Sequence, residues 1–555
     1  MGNITETALL RKIERGKTVL SHMQDLSKNA MGSNEKLLLK ILQENKDTEY
    51  GKKFGFGEIR NAKEYVEKVP LTTYEDYESY IDGMVKGKGN ALSVREVVHF
   101  AQSSGSAGNP KKVPMCLEAL EMFTDYTLNL CFGVMDKHLG QSWKKARGVS
   151  LASIQFQTLE NGTSYGAVSG KVREKYRDVE HYVYTSPLLA TYPQGDIDTK
   201  YLHLRFALME EDLSFMTCSF LNSAVDFIKY LERNWRILVE DIALGRIDEN
   251  IKIPHDQREK LMESIVPMPE RASRLKAEFE KGFDGIITRI WPDFKFIYGI
   301  GGGGFRVYAE KMRHYLGSAQ LHLSIYSASE GIFATHIAPE TDEMIMILDS
   351  AFYEFIDVED EGETPVTLDN VQVGHDYEFV LTNLSGFYRY RIKDVIRVTG
   401  FFETCPTIKF LYRQNQMLSM AGEKTNDDCM NTTISQFCKK ADFDLVEYSM
   451  YGDYDHSPGR YIVFIEGENF RNGRNMEAMQ KLLEEELCKN NPSYGDKIKK
   501  GILAPLKLNF LRENTYAVYR QLMIAKGASV NQLKPVRMID NPFREKFFFS
   551  MIEEI

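Results

Sequence analysis

The amino-acid sequence predicts an α/β fold, in which a large N-terminal domain of mixed β-sheets with flanking helices precedes a smaller α+β domain. Amphipathic stretches with helical spacing alternate with short apolar runs that are bounded by glycine-rich turns. The pattern changes after Arg413 to more compact strand and helix units. A chain of 555 residues is also longer than one core needs, at about 150 residues per domain.

Two stretches have a clear helical pattern. Residues 3–47 carry apolar side chains at mixed spacings of three and four, which predicts a helical packing element. Residues 224–244 form one apolar stripe, and Gly245 stands where such a helix would end. The stripe consists of Ala224, Ile228, Leu231, Trp235, Leu238 and Ile242.

Short apolar or alternating runs predict the strands. A buried strand at 96–100 leads directly into a loop of small residues. Further strands are predicted at 294–300, 321–326, 388–392, 443–451 and 461–466. A helix with Met476, Met479, Leu483 and Leu487 on one side follows the last of these strands.

Composition and charge exclude several classes of function. The chain has 69 basic and 79 acidic residues, and this net charge of -10 argues against broad binding to nucleic acid or to an anionic membrane. Its first thirty residues contain no apolar core of the signal-peptide type, and no run of 18 apolar residues occurs, so a cytoplasmic location is expected. Seven cysteines without CxxC spacing predict reduced, mostly buried thiols, and the absence of HExxH argues against a histidine metal site.

The first candidate motif is the loop of serines and glycines at 102–112. Gly105 and Gly108 allow the backbone to approach a ligand, and the hydroxyls of Ser103, Ser104 and Ser106 can bind phosphate oxygens, with Lys111 and Lys112 adding positive charge. A P-loop does not fit, because Gly108 is followed by Asn-Pro instead of Lys and Ser or Thr. A hydrolase nucleophile elbow fits poorly, and an ordinary turn remains the alternative.

The second candidate motif is Tyr326-Ser-Ala-Ser-Glu-Gly331, which follows a predicted strand. An aromatic ring, small hydroxyls and one carboxylate could stack a base, bind a phosphate and hold Mg²⁺, which prefers one or two carboxylates together with phosphate oxygens. The alternative is an ordinary exit from a strand into a loop.

The third candidate motif is Gly386-Phe-Tyr-Arg-Tyr-Arg-Ile-Lys-Asp394. Strand alternation places Tyr388, Tyr390 and Ile392 on one face and the basic side chains on the other. Asp394 is then expected to leave the strand as an acceptor for ribose hydroxyls. The alternative is a solvated basic face that is paired with acidic neighbours.

In order and spacing, these three stretches resemble the signature motifs of the acyl acid amido synthetases, the auxin-responsive Gretchen Hagen 3 family of the acyl-adenylate-forming superfamily. Thr185-Ser-Pro187 resembles the family's Ser-Pro turn, and Gly527–Arg537, which includes Lys534, resembles its C-terminal signature. Phe410–Asn415 resembles its interdomain hinge. Gly422-Glu-Lys-Thr425 resembles the segment that carries its catalytic lysine, although a lone lysine in a loop is more often part of a surface ion pair.

The resemblance implies a role for each matching residue, with Lys424 catalytic and Glu330 holding Mg²⁺. It implies an ATP site of Ser103, Ser104, Gly105, Ser106, Tyr326, Ser329, Asp394 and Arg413, with Lys112 and Lys534 as secondary candidates. It also implies an adenylation domain at 1–411, a hinge at 412–416 and a mobile domain at 417–555. Three departures from the family pattern are Lys393 in place of glycine, Gly422-Glu423 before the lysine, and Asn109-Pro110 in the loop.

The implied activity is an ATP-dependent acyl acid amido synthetase, which forms an acyl-adenylate and passes the acyl group to an amine, such as an amino acid. Small-molecule substrates, no nucleic acid or membrane partner and a monomeric state are expected. The alternatives are a ligase that makes CoA thioesters, a nucleotide-binding relative without turnover and, more remotely, a serine hydrolase. The sequence does not identify the acid or the amine.

Overall fold

The computed structural model divides the chain into two compact units. The larger unit comprises the described residues up to 102, from 111 to 392 and from 397 to 409, and the smaller comprises 393–396 and the described residues from 410 onward. The predicted hinge at 412–416 stays a prediction. The structure describes residues 2–89, 91–102, 111–301, 306–323, 325–341, 343–360, 363–414, 418, 420–421, 423, 425–467, 475–528 and 533–553.

The larger unit begins with helices. These are α1 (Gly2–Ser27), α2 (Ala30–Asn45), α3 (Glu49–Lys53), α4 (Ala62–Lys68) and α5 (Glu78–Val85). The predicted helix over 3–47 is therefore two helices. The chain breaks because the side chain of Asn29 caps α2, accepting a hydrogen bond from the backbone N–H of Gly32.

A second helical segment crosses α1 at very short distance. It consists of α6 (Leu117–Thr124), a π turn at Asp125–Asn129 and α7 (Leu130–Leu139). A Cβ atom on Gly16 of α1 would lie 1.9 Å from the carbonyl oxygen of Asn129, and one on Gly133 would lie 2.6 Å from the carbonyl carbon of Gly16. The two glycines therefore set the distance between the helices.

The first sheet contains the strand that was predicted before the serine loop. The strands to residue 166 are β1 (Val97–Gln102), β2 (Lys112–Cys116), β3 (Val149–Ser150), β4 (Phe156–Thr158) and β5 (Ser164–Gly166). Four of them pair in the order β2-β1-β5-β4. β1 is antiparallel to β2, with Gln102 opposite Lys112, and parallel to β5.

A parallel sheet and the helices around it hold a hydrophobic cluster. The sheet has the order β3-β6-β7-β8, where β6 is Phe215–Phe220, β7 is Phe296–Ile300 and β8 is Gln320–Leu323. Helices α8 (Val168–Glu174) and α9 (Glu180–Val183) contribute none of the described residues of the cluster. The cluster includes residues of α10 (Leu188–Thr191), α11 (Thr199–Met209), α12 (Leu221–Leu244), α13 (His255–Met262), α14 (Pro269–Phe279), α15 (Ile286–Ile290) and α16 (Arg306–Leu316).

Helix α12 confirms the predicted amphipathic helix. All six residues of the predicted apolar stripe are buried in the cluster that packs on this sheet. Gly245 ends the helix with φ +65°, and a Cβ there would lie 2.4 Å from the nitrogen of Pro267. Both the left-handed backbone and the close approach therefore require glycine at this position.

A further sheet of eight described strands follows. Its order is β13-β12-β14-β15-β16-β11-β10-β9. The strands are β9 (Ile325–Ala328), β10 (Gly331–Thr335), β11 (Met344–Met346), β12 (Ala351–Asp357), β13 (Pro365–Val366), β14 (Asp376–Asn383), β15 (Tyr390–Phe402) and β16 (Cys405–Arg413). The predicted strand over 321–326 is thus two strands, β8 and β9, which belong to different sheets.

The smaller unit is α+β, as the sequence predicted. Its strands β17 (Leu445–Asp453), β18 (Arg460–Gly467) and β19 (Lys507–Phe510) form a sheet with β18 in the centre. Its helices are α17 (Asp427–Ala441), α18 (Met476–Asn490), α19 (Pro492–Lys499), α20 (Thr515–Ala525) and α21 (Pro542–Ser550). Ile462, Phe464, Tyr519 and Phe548 are among the buried residues of one of its hydrophobic clusters.

The cysteines behave as predicted. All seven are free thiols, and Cys116, Cys131, Cys218 and Cys405 are buried.

Among the described residues, no helix is both long enough and apolar enough to cross a bilayer.

The contact between α1 and α7 leads to a stability prediction. We expect Gly16→Ala to lower the free energy of unfolding of the larger unit by about 1–3 kcal/mol, because the added methyl group forces two backbones apart. Gly83→Ala is the matched control, since this helical glycine has only the side chain of Lys88 near its Cβ position, at 3.9 Å. Urea unfolding followed by tryptophan fluorescence reports on this unit, which contains Trp143, Trp235 and Trp291. Equal stability of the two variants would contradict the close contact.

Candidate active site

The predicted site residues fall into two sets. Ser103, Ser104, Gly105, Ser106 and Lys424 lie outside the described residues, so their predicted roles stay predictions. Tyr326, Ser329, Glu330, Asp394, Arg413, Lys112 and Lys534 are described.

In the larger unit, hydrogen bonds connect all three candidate motifs. The Ser329 hydroxyl donates to the carbonyl of Gln102 at 3.2 Å, the last described residue before the serine loop. The Tyr390 hydroxyl donates to Oε1 of Glu330 at 3.2 Å. Asn383 Nδ2 donates to the backbone carbonyl of Glu330 at 2.7 Å. The structure therefore brings together the end of β1, the turn after β9 and the start of β15.

Glu330 has the properties that a magnesium carboxylate requires. Its side chain lies in the β9–β10 turn and is half-buried, and one oxygen is oriented by Tyr390. Mg²⁺ usually takes one or two protein carboxylates and completes its shell with water and substrate phosphates. A carboxylate that Tyr390 orients, and whose neighbour Ser329 contacts Gln102, therefore fits this ion.

Tyr326 is a packed residue of β9. Its ring is 6% exposed and meets Phe333 and Phe379 at centroid distances of 5.3 and 5.7 Å. These contacts orient the ring within the sheet and leave little of its surface exposed. Its predicted role beside adenine stays a prediction.

The prediction that Asp394 leaves the strand is wrong. Asp394 lies within β15, which continues to Phe402, and it is 3% exposed. Its Oδ1 accepts a hydrogen bond from Nε of Arg413 at 2.6 Å, and both residues belong to the smaller unit. The strand can continue through this polar residue because the Arg413 guanidinium compensates the buried carboxylate.

The alternative interpretation of the third motif, a solvated basic face, is wrong for Arg389. Arg389 has φ +49° and Lys393 has φ +63°, so regular strand alternation does not apply here. The guanidinium of Arg389 is buried, binds both oxygens of Glu354 and donates to the carbonyls of Val66 and Val69. Arg391 is paired with acidic side chains, Glu363 and Glu378.

His99 is a buried neutral histidine on β1, three residues before Gln102. Its Nδ1 lies 2.9 Å from the Ser164 hydroxyl, and its Nε2 lies 3.1 Å from the carbonyl of Gly166. A neutral ring satisfies both neighbours when Nε2–H donates to the carbonyl and Nδ1 accepts from the hydroxyl. Burial lowers the pKa of His99 to about 4.

The secondary lysines lie on different units. Lys112 begins β2 in the larger unit, where its backbone N–H donates to the hydroxyl of Tyr74 at 3.0 Å. Lys534 is exposed in the smaller unit. Three residues later, Arg537 is buried against Glu447 and lies over the ring of Tyr448, so this part of the C-terminal signature also has a structural role.

Several residues that contact the site were not predicted from the sequence. Gln102 and Tyr390 were inside or next to the motifs, but no local pattern showed that they would contact Ser329 and Glu330. Asn383 ends β14 and belongs to no motif. Its contact with Glu330 spans 53 positions in the sequence, which a local pattern does not reveal.

Family models match most of the chain in three consecutive segments. The GH3 family N-terminal domain matches residues 19–321, the GH3 family central domain matches 344–413 and the GH3 family C-terminal domain matches 428–542. These segments include Gln102, Asn383, Tyr390, Asp394 and Arg413, whereas the turn that contains Ser329 and Glu330 lies between the first two segments.

Curated relatives cover nearly the full chain. The probable indole-3-acetic acid-amido synthetase GH3.11 of Oryza sativa subsp. japonica is 29% identical over 576 residues, which is 97% of this chain and 96% of that protein. The 4-substituted benzoates-glutamate ligase GH3.12 of Arabidopsis thaliana is 27% identical over 555 residues, with 94% and 95% covered.

Solved structures confirm the fold. The GH3.15 acyl acid amido synthetase is similar with a TM-score of 0.85 and 26% identity, and the match covers 97% of each chain. A 2-hydroxyisobutyryl-CoA ligase in the postadenylation state has a TM-score of 0.52 at 11% identity, with 96% of this chain and 90% of that chain covered. At that identity the second likeness shows the fold alone. The predicted α/β fold with a separate C-terminal domain is confirmed.

The buried His99 leads to a pH prediction. Because its folded pKa of about 4 lies below the unfolded value of about 6.5, its contribution to stability is present above pH 6.5 and is lost as the pH falls towards 4. Between pH 7 and pH 5 this loss is about 2 kcal/mol.

We expect His99→Gln, whose amide can replace both hydrogen bonds, to reduce the loss of unfolding free energy between pH 7 and pH 5 by about that amount. His255→Gln is the control, since the side chain of His255 is 88% exposed. Urea unfolding at the two pH values measures the difference. An unchanged pH dependence in His99→Gln would show that His99 is not the group that titrates.

Proposed function

The chain belongs to the GH3 family, and from this premise we propose how its residues carry out the reaction of an acyl acid amido synthetase. The enzyme is a ligase that uses ATP. It converts a carboxylic acid into an acyl-adenylate and pyrophosphate, then transfers the acyl group to an amine and releases AMP. The observation that carries this function is the match to all three family domains in order, over residues 19–542.

The acceptor is an amino acid. The relatives support this, because one is a 4-substituted benzoates-glutamate ligase and another is a probable indole-3-acetic acid-amido synthetase. These two relatives act on different acids, benzoates and indole-3-acetic acid, so the acid that this chain uses has to be identified separately. A screen of aryl, indolyl and aliphatic acids is the direct way to identify it.

The nucleotide is bound mainly through the three motifs. Ser103, Ser104 and Ser106 hold the β- and γ-phosphates, and Gly105 allows the backbone to approach them. Ser329 lies near the α-phosphate and Tyr326 near adenine. Asp394 accepts hydrogen bonds from the ribose hydroxyls, and Arg413 orients its carboxylate. Lys112 and Lys534 are secondary sources of positive charge.

Glu330 holds Mg²⁺, with Tyr390 orienting its carboxylate. When bound, the ion neutralises the charge of the phosphate oxygens and stabilises the charge that develops on the leaving pyrophosphate. Glu330 provides an oxygen ligand of the type that Mg²⁺ prefers, and Tyr390 limits the directions in which that ligand can point.

Lys424 provides the mobile positive charge of the adenylation step. Negative charge grows on the α-phosphate as the carboxylate attacks, and a positioned cation lowers this barrier through electrostatics. A hinge at 412–416 separates an adenylation domain at 1–411 from a C-terminal domain at 417–555. Rotation about this hinge removes Lys424 after adenylation and admits the amine. The cytoplasmic location and the monomeric state remain predictions.

A CoA ligase is the second candidate, because the fold is shared with a CoA ligase in its postadenylation state. Competition between amino acids and CoA for the same adenylate distinguishes the two functions. Amide is the expected product in the presence of both acceptors. Thioester as the sole product would replace the proposed function with the second candidate.

ATP/pyrophosphate exchange tests the assignment of Lys424. With an acid that the screen identifies, we expect Lys424→Ala to reduce exchange by at least about a hundredfold, because it removes a cation that acts in the transition state. Binding of ATP, measured by calorimetry, should be retained. Lys500→Ala is the control, since Lys500 is an exposed lysine of the smaller unit. A normal exchange rate in Lys424→Ala would remove this lysine from the mechanism.

Magnesium dependence tests the role of Tyr390. In Tyr390→Phe the ring remains but Glu330 loses a hydrogen bond, so we expect the Mg²⁺ concentration for half-maximal exchange to rise by about tenfold. Tyr454→Phe is the control, because Tyr454 is 67% exposed. An unchanged magnesium requirement, with exchange otherwise intact, would contradict the orientation of Glu330 by Tyr390.

A further inference from the structure

A buried carboxylate immediately precedes Lys424 in the chain. Glu423 is 2% exposed, and both of its oxygens accept hydrogen bonds. Oε1 accepts from the backbone N–H of Met420 at 2.7 Å and lies 2.5 Å from the hydroxyl of Tyr461. Oε2 accepts from the backbone N–H of Ala421 at 2.7 Å. Glu423 therefore fixes the chain on the N-terminal side of Lys424.

Thr425 is held equally firmly on the other side. It is fully buried, and its backbone exchanges two hydrogen bonds with Leu418, at 2.7 and 2.9 Å. Its hydroxyl lies 2.9 Å from the Tyr461 hydroxyl and accepts from Asn491 Nδ2 at 2.9 Å. Asn491 Nδ2 also donates to the carbonyl of Glu423 at 3.0 Å. Tyr461 and Asn491 thus each contact both neighbours of Lys424.

The proton positions in this network follow from the number of donors. The phenol of Tyr461 has one proton, and the charged oxygen of Glu423 at 2.5 Å is its strongest acceptor. The hydroxyl of Thr425 can then donate to Tyr461 while it accepts from Asn491. Burial raises the pKa of Tyr461 well above its usual value, and the bond to Glu423 acts in the same direction, so the phenol remains a donor.

Tyr461 lies on a strand of the smaller unit, and Asn491 lies directly before one of its helices. Tyr461 lies on β18, the central strand of the sheet, and its ring is packed 5.0 Å from the ring of Tyr494. Asn491 is the N-cap of α19, where its Oδ1 accepts from the backbone N–H of Tyr494 at 3.0 Å. The oxygen of the amide is used by the helix, which leaves the nitrogen directed to residues 423 and 425.

We propose that Tyr461 and Asn491 are positioning residues, which anchor both neighbours of Lys424 so that the lysine is presented for adenylation. This inference rests on the proposed catalytic role of Lys424. A long lysine side chain loses conformational freedom when it acts, and an anchored backbone reduces that cost. The anchoring side chains do not need to contact the substrates.

The test uses Tyr461→Phe in the full chain, which keeps the ring but removes the hydroxyl. We expect kcat for ATP/pyrophosphate exchange to fall by at least about tenfold, with KM for ATP and for the acid changed by less than about twofold. Amide formation from a chemically prepared acyl-adenylate should keep its normal rate, because Lys424 acts only in the first half-reaction. Asn491→Asp, which retains the capping oxygen but loses the donor, should show the same selective loss.

Tyr494→Phe is the matched control. Tyr494 is also fully buried and adjacent to Tyr461, but its hydroxyl binds Glu484, so exchange should stay close to that of the unsubstituted protein. The thermal midpoint of each variant is measured in parallel.

Two results would overturn the inference. One is a normal kcat for exchange in Tyr461→Phe. The other is an equal loss in both half-reactions, which indicates a general structural defect. The proposed function is tested separately by Lys424→Ala. If that variant loses exchange while Tyr461→Phe does not, only the positioning role fails; if Lys424→Ala exchanges normally, the catalytic assignment itself fails.

Discussion

The buried ion pair between Arg389 and Glu354 is the interaction on which the described part of the candidate site depends. The guanidinium binds both carboxylate oxygens and two backbone carbonyls, while the backbone of Arg389 adopts φ +49°. Removal of one partner from such a pair costs about 3–5 kcal/mol, because a buried charge is left uncompensated. The pair therefore fixes the point at which β15 begins.

The position of β15 then determines the contacts of its first residues. The backbone N–H of Thr72 donates to the carbonyl of Arg389, and the N–H of Arg391 donates to the carbonyl of Thr72. Tyr390 is held between these two bonds, and its hydroxyl reaches Glu330. An interaction that does not itself contact the proposed nucleotide site thus orients the carboxylate that we assign to Mg²⁺.

The smaller unit uses a buried carboxylate in a comparable way. Glu423 is surrounded by donors from its own loop and from β18, just as Glu354 is compensated by Arg389. Exposed ion pairs contribute little to stability and tolerate movement, whereas buried and fully bonded carboxylates restrict the backbone around them. Both units therefore place proposed catalytic groups next to rigid polar clusters, which favours transition-state stabilisation by preorganised charge.

The sequence by itself determined the α/β class, helix α12 with its end at Gly245, strand β1 and the motifs that carry the proposed chemistry. These features are local, since apolar periodicity and the conformation of glycine depend on neighbouring residues. Tertiary structure alone decided that β8 and β9 join different sheets, that Arg389 is buried and that Asp394 stays within β15. It also supplied Asn383 and Tyr390 as partners of Glu330. These outcomes depend on contacts between residues that are far apart in the chain, for which the local pattern contains no signal.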